Sequence, residues 1–360
     1  MSEPLSGMPL SRYRPRSRLR TTTNYVPRPR SAAIDAHNHL GTAFGGEWST
    51  RSAAELAAAL DAAGVEAIVD LDGGWGEGLR QEIERWQRPL PGRVAVFAGL
   101  DYERWRHDPA FGATEAARLR DGVAAGARGL KVWKTLGLRA RGPDDRLVAV
   151  DDPRLDVLWA TAGDLGVPVT IHVADPIAFF DPLDATNERW EELQAHPDWH
   201  FWPTRPAGRP NEPGFPPFDE LLDTLEAVVA RHPATTFIGA HVGCAAEDLG
   251  RVDRMLAAYP NWNIDIAARI AELGRQPRRT RQLFERWPDR ILFGVDSGPD
   301  PEFYAVHYRF LETSDESFPY DVDDQEPPTQ GRWAIHGLGL GDEVLRQVYR
   351  DNARRLIAFD

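Results

Sequence analysis

Along this chain one hydrophobic pattern recurs: a short β-branched run, then a stretch with helical spacing, then a Gly or Pro. No short sequence repeat underlies it. The runs predict strands at Ala33–Ala36 (ending in His37), Glu66–Leu71, Val94–Gly99, Gly129–Trp133, Pro168–His172, Thr236–His241, Trp262–Ile266 and Arg290–Asp296. Between them lie helix signals. Ser52 and Glu55 have capping-box spacing, and Gly64 is a stop. Helical stretches follow near 77–87 and over 113–125, the second closed by Gly126. Asp152-Pro153 reads as an N-cap with Pro in the first turn, and that helix stops near Gly166. A last helix is expected over 342–357.

Short apolar strands alternating with helices predict a parallel sheet buried on both faces. Eight such units fit an α/β fold of the closed (β/α)8 TIM-barrel kind. An open doubly wound sheet is the alternative. It lacks support, because the first strand is followed by His-Asn-His and not by a Gly-rich nucleotide turn. Residues 1–30 read as a basic, Pro/Arg-rich extension and residues 31–360 as the barrel. Two connections, 175–217 after strand five and 297–335 after strand eight, are far longer than ordinary α/β loops. Such loops build lids and pockets at the catalytic end of a barrel; oligomer contact is the other reading.

Composition narrows the function classes. The net charge of −13 leaves no cation excess for a phosphate backbone, so no nucleic acid is expected as partner. No apolar run is long enough to span a membrane, and no apolar segment follows the Arg-rich start. Cys244 is the only cysteine, which excludes an internal disulfide and suits a buried inert thiol. A cytoplasmic enzyme for a small-molecule substrate is expected. Residues 1–30 carry seven Arg against one Glu, and with the long loops they make a homodimer a reasonable arrangement.

The chemistry sits at strand ends. Strand one ends in His37 and His39, strand five in His172, strand six in His241 and strand eight in Asp296. A barrel brings all of these to one mouth. His37 and His39 are two apart on an extended segment, so they point the same way. Three imidazoles and a carboxylate form a donor set for zinc or another borderline divalent ion.

These residues resemble a known family. Ile34-Asp35-Ala36-His37-Asn38-His39-Leu40-Gly41 is similar to the strand-one signature of the amidohydrolase superfamily. Val169-Thr170-Ile171-His172, Ile238-Gly239-Ala240-His241-Val242-Gly243 and Ile291-Leu292-Phe293-Gly294-Val295-Asp296-Ser297 resemble later landmarks of its amidohydrolase-2 branch. So does the closing Asp351-Asn352-Ala353. That branch includes aminocarboxymuconate-semialdehyde decarboxylase, related aromatic-acid decarboxylases and lactone hydrolases. The resemblance implies one divalent metal held by His37, His39, His172 and Asp296. Zinc is the expected ion; manganese, iron and cobalt also suit the donors. His241 would stand beside the reacting water as base or hydrogen-bond donor, and Asp296 would also serve as proton acceptor.

Several residues keep alternative readings. Lys131 is a substrate-anion contact, a structural ion-pair partner, or a carboxylated bridge to a second metal. Lys131 and Lys134 are three apart, which on a continuing strand puts them on opposite faces. Arg269 either clamps a substrate carboxylate or braces the mouth. Trp133, with Trp48 and Trp75, could wall an apolar or aromatic substrate. The resulting functions are hydrolysis of a lactone, ester or amide by activated water, non-oxidative decarboxylation of an aromatic or unsaturated acid, or a non-catalytic metal-bearing binding barrel.

Overall fold

A computed structural model describes residues 9, 13, 18–41, 46–202, 214–322 and 329–360. Parallel strands β1 (Ala33–Asn38), β2 (Val65–Asp70) and β3 (Val94–Val96) form one sheet. Strands β4 (Leu130–Val132), β5 (Val169–Ile171), β6 (Phe237–Gly239), β7 (Trp262–Asp265) and β8 (Ile291–Leu292) form another, in sequential order. Backbone hydrogen bonds cross both seams. Lys131 N donates to Ala98 O at 2.7 Å and Ala98 N to Gly129 O at 2.9 Å, linking β3 to β4. Ala36 N donates to Phe293 O and Asp296 N to His37 O, both at 2.9 Å, linking β8 back to β1. The chain is thus an α/β protein of the TIM-barrel class, as its alternation predicts. Several strands are shorter than the apolar runs suggest, because their last residues leave the ladder to enter the mouth.

Alternation sorts the core into two layers. Ile34, Ala36, Ala67, Val69, Ala95, Phe97, Ile238 and Leu292 pack inside the barrel, with Ile357 and Phe359 from the chain end. Their neighbours Ile68, Val94, Val96, Leu130, Val132, Ile171 and Phe237 meet the helices. Burial on both faces is what near-continuous apolar strands require.

The helices start and stop where their caps lie. Helix Ala53–Ala63 has a complete Ser52/Glu55 capping box and ends at Gly64, whose φ of 73° is the left-handed conformation. Asp152 caps the turn at Pro153–Leu155 that leads into helix Asp156–Leu165, which ends at left-handed Gly166. The last helix is continuous from Asp342 to Leu356 through one π-helical turn. The described part of the N-terminal arm lies against helix Pro301–Glu312. Tyr25 donates to Glu302 Oε1 at 2.7 Å, and Arg30 N to Glu312 Oε1 at 2.9 Å. Among the described residues no helix is long and apolar enough to cross a membrane.

Candidate functional site

His37 and His39 leave the end of β1, where a register shift between Asp35 and Asn38 interrupts the ladder. Asp296 follows β8. The three donor groups lie within 4.8 Å of one another. Asp296 Oδ1 stands 3.5 Å from His37 Nε2 and 3.1 Å from His39 Nε2. Two features of the segment after β8 allow this approach. A Cβ on Gly294 would sit 2.9 Å from His37 Cβ, so only glycine fits there unstrained. Asp296 itself adopts φ 60°. His241, Val242 and Ala268 are also left-handed, at φ 58°, 62° and 52°. Non-glycine residues rarely take this conformation, and here they cluster around one mouth.

The hydrogen bonds around these imidazoles decide which nitrogen is bare. Asp265 Oδ2 lies 2.8 Å from His37 Nδ1, and Asp72 Oδ1 lies 2.7 Å from His39 Nδ1. A carboxylate accepts, so each Nδ1 carries a hydrogen, which leaves Nε2 as the nitrogen each ring turns toward the centre. The two Nε2 atoms face Asp296 Oδ1, a buried oxygen. Lys131 Nζ, 3.2 Å from His37 Nε2, and a proton on His39 supply positive charge at this point, and a divalent ion would take that place between the three groups. His241 matches: its Nδ1 donates to Ala267 O at 2.8 Å, and its Nε2 lies 3.8 Å from Asp296 Oδ2. His37, His241 and Asp265 form a second group of the same compactness. There, however, Asp265 is already engaged on both oxygens, by His37 and by the amides of His241 and Ala267. Asp265 is therefore occupied by protein donors, whereas Asp296 Oδ1 faces the Nε2 atoms of His37 and His39. The donors fit a divalent ion of the zinc type.

The electrostatics agree. Burial disfavours charge on His39, but hydrogen bonds and charge from Asp296 and Asp72 outweigh it and raise its pKa to about 9. A field that holds a proton at this point favours a metal cation too. Burial would push Asp296 up, yet His37, His39 and Lys131 hold it well below the usual carboxylate range. Burial, then neighbouring His172 and Arg269, push His241 far down, so it is neutral.

The other expected residues gather at the same place with different partners. His172 packs against His241, ring centroids 4.4 Å apart. Its Nε2 faces Ala174 O at 3.1 Å and Asp175 Oδ1 at 3.3 Å, and it is not among the converging donors. Burial lowers its pKa to about 4. Lys131 is fully buried, with Nζ 3.2 Å from His37 Nε2 and 4.8 Å from the Trp133 ring centroid. Lys134 also turns to the mouth, where it pairs with Asp175. The opposite-face expectation fails because β4 ends at Val132, before Lys134.

A cavity of roughly 460 Å³ opens above the cluster. His37, His39, His172, His241 and Asp296 line its base. Trp133, Phe179 and Trp199 supply aromatic walls, and Lys134, Arg189 and Arg269 supply cations. Trp133 also stacks on His39, centroids 5.0 Å apart. Trp48 instead packs against Gly298, and Trp75 is largely exposed. Both long inserts contribute to the cavity: the first gives Asp175 through Trp199, the second Thr329 and Gln330. Arg269 is buried, and its one hydrogen bond among the described residues goes to Ala268 O at 2.8 Å. It forms no ion pair there.

Comparison with known families and folds bears on this geometry. A family profile described as Amidohydrolase matches residues 34–359. The chain belongs to the amidohydrolase family. Membership makes it a metal-dependent enzyme, of a class that holds hydrolases and decarboxylases, and removes the non-catalytic reading. Among solved structures, this amidohydrolase is similar to 2,6-dihydroxybenzoate decarboxylase from Rhizobium. The identity is 18%, covering 91% of this chain and 98% of that one, with a TM-score of 0.53. A putative amidohydrolase from Staphylococcus aureus is 15% identical over 90% and 99%, TM-score 0.52. 5-Carboxyvanillate decarboxylase from Sphingomonas paucimobilis is 16% identical over 90% and 98%, TM-score 0.51. These likenesses establish the fold. Comparison with curated proteins gave no match.

Sequence reading missed the supports. Asp265 and Asp72 hold His37 and His39, and Asp175 joins Lys134 to His172. Asp265 was visible as the polar residue ending an apolar strand, the same signal that singled out Asp296.

Proposed function

We propose that this amidohydrolase hydrolyses a small anionic carbonyl compound, a lactone, ester or amide, with a single divalent ion at His37, His39 and Asp296. One observation carries the reading: the Nε2 atoms of His37 and His39 converge on Oδ1 of Asp296 at the base of a cavity whose Arg269 guanidinium has no ion pair among the described residues. His172 joins this set by a ring rotation away from Ala174 O. A divalent ion supplied there acidifies water toward neutral pH and polarises a carbonyl.

The side chains divide the remaining work. His241 rests neutral with its Nδ1 hydrogen held by Ala267 O, so its Nε2 accepts a proton as the attacking water loses one. Asp296 orients that water through Oδ2. Arg269 binds the substrate anion, and Trp133 closes the apolar side. Lys131, held in the cluster by His37, stabilises negative charge developing at the carbonyl.

Non-oxidative decarboxylation of an aromatic or unsaturated carboxylate is the second reading. The aromatic walls of Trp133, Phe179 and Trp199 beside Arg269 favour it, as do the two decarboxylases of like fold. The products separate the two. Metal-loaded protein is incubated with lactones and hydroxybenzoates in ¹⁸O-water. Label entering the organic product supports hydrolysis; CO2 release with no label in the organic product supports decarboxylation. Turnover that persists after complete chelation overturns both.

A further inference from the structure

The first insert carries a charged cluster away from the metal centre. Its short helix Trp190–Ala195 is preceded by Arg189, a residue 1% exposed. One arm of that guanidinium reaches Glu192 Oε2 at 2.7 Å, and the other pairs with Glu272, on the turn that follows Arg269. The Arg189 guanidinium also lies over the Trp333 ring, 5.2 Å from its centroid. Glu247 completes the cluster and accepts from Ile177 N at 3.2 Å. The group thus holds three carboxyls, Glu192, Glu247 and Glu272, against two guanidiniums, Arg189 and Arg269.

Of the three carboxyls, Glu192 is the one that lines the cavity. Its Oε2 is committed to Arg189, and Oε1 takes no hydrogen bond among the described residues. We propose that Glu192 is a specificity-determining residue whose carboxyl group meets a polar substituent, a hydroxyl above all, on the substrate beyond the end held at the metal centre. This rests on the reading that the cavity takes a small carboxylate at Arg269.

The cluster explains why a carboxyl there is usable. Arg189 divides its charge between Glu192 and Glu272, and Arg269 is shared with the substrate anion, so the acids outnumber the cations. Burial therefore wins over Arg189 and Arg269 and raises the Glu192 pKa to about 7. A carboxyl in that range donates or accepts with little change of environment, which suits a hydroxyl partner. Glu247 is likewise raised, by burial and then by Glu272.

The test titrates metal-loaded full-length protein with benzoate, 3-hydroxybenzoate and 4-hydroxybenzoate by calorimetry. The wild type should bind at least one hydroxybenzoate roughly tenfold more tightly than benzoate, the equivalent of one good hydrogen bond. Glu192→Leu should erase that preference and leave benzoate affinity unchanged. Glu192→Gln, which keeps the volume and the Arg189 contact, should retain part of it and guards against a folding defect in the first variant. A hydroxyl preference of the same size in both variants overturns the role of Glu192 while benzoate binding stands. Failure of all three ligands to bind the wild type overturns the carboxylate reading itself, and this inference with it.

Discussion

Asp265 Oδ2 lies 2.8 Å from His37 Nδ1, and through this contact β7 sets the tautomer of a residue on β1. The same carboxylate accepts from the amides of His241 and Ala267, at 2.9 and 3.1 Å. One side chain therefore orients two imidazoles of the centre. Carboxylates behind metal-binding histidines typically sustain 10–100-fold in affinity. Asp265→Asn, which preserves an acceptor but removes the charge, should weaken zinc binding by roughly tenfold in competition with a chromophoric chelator. Asp265→Ala should weaken it by about 100-fold and lower the melting temperature as well. Unchanged zinc affinity in both variants would exclude Asp265 from the support of the centre.

Gly294 gives a steric counterpart. A methyl group there meets His37 Cβ at 2.9 Å and His37 N at 3.2 Å. Neither atom can retreat, because Asp296 N donates to His37 O across the seam. Gly294→Ala should cost about 1–3 kcal/mol of stability, and the displacement should reach the metal site. The expected result is a lower unfolding midpoint together with faster loss of bound zinc to a chelator. A stability loss with normal zinc retention would mean that β8 moves as a unit and spares the centre.

The residues that could be read from the sequence share one property: their signal is local. The Ser52/Glu55 box, Gly64 and Gly166 declare helix ends within a few positions, and His37-Asn38-His39 marks a candidate ligand pair that gains weight only with the other strand ends. Asp296 required only the rule that strand ends meet at the mouth. The supports obey a different logic. Asp265 matters because β7 reaches across the barrel to β1, and Asp72 because β2 pairs beside β1. Neither relation has a sequence spacing. The opposite-face expectation for Lys131 and Lys134 fails because three residues of β4 cannot be told from five in the run Gly129–Trp133. Glu192 lies in an insert with no repeating pattern at all, and its role depends on where Arg189 and Glu272 fall in space.

Buried Asp70 predicts a pH effect on folding. Its Oδ1 accepts from Leu40 N and Asp72 N, each at 3.1 Å, while Oδ2 makes no hydrogen bond among the described residues. Burial first, then repulsion from Asp72, raises its pKa to about 7, against about 3.9 for an unfolded chain. The folded state thus favours the protonated acid. Its contribution is fully present below about pH 4 and is lost as pH rises through 7. Asp70→Asn removes this dependence. Urea unfolding should find the variant more stable than wild type at pH 8, by on the order of a few kcal/mol, with the advantage vanishing toward pH 4. Parallel stability profiles for the two proteins would show that Asp70 ionises freely.

Arg269 offers the sharpest division between binding and chemistry. Its guanidinium is buried at the cavity wall, bonds only to the Ala268 carbonyl among the described residues, and forms no ion pair with Glu192, Glu247 or Glu272. A buried cation left in that state is poised for an incoming carboxylate, which it can hold in two-pronged fashion. A charged hydrogen bond of this kind contributes about 1.5–3 kcal/mol. Arg269→Ala should therefore weaken benzoate binding by roughly 10- to 150-fold. If the contact acts equally in ground and transition states, KM for an anionic substrate rises by the same factor and kcat is little changed. Arg269→Lys should recover part of the loss, since it restores charge without the fork. Neutral esters should be handled alike by wild type and variants. A fall in kcat with KM unchanged would instead place Arg269 against the charge that develops during reaction, and equal benzoate affinity in all three proteins would remove it from the substrate site.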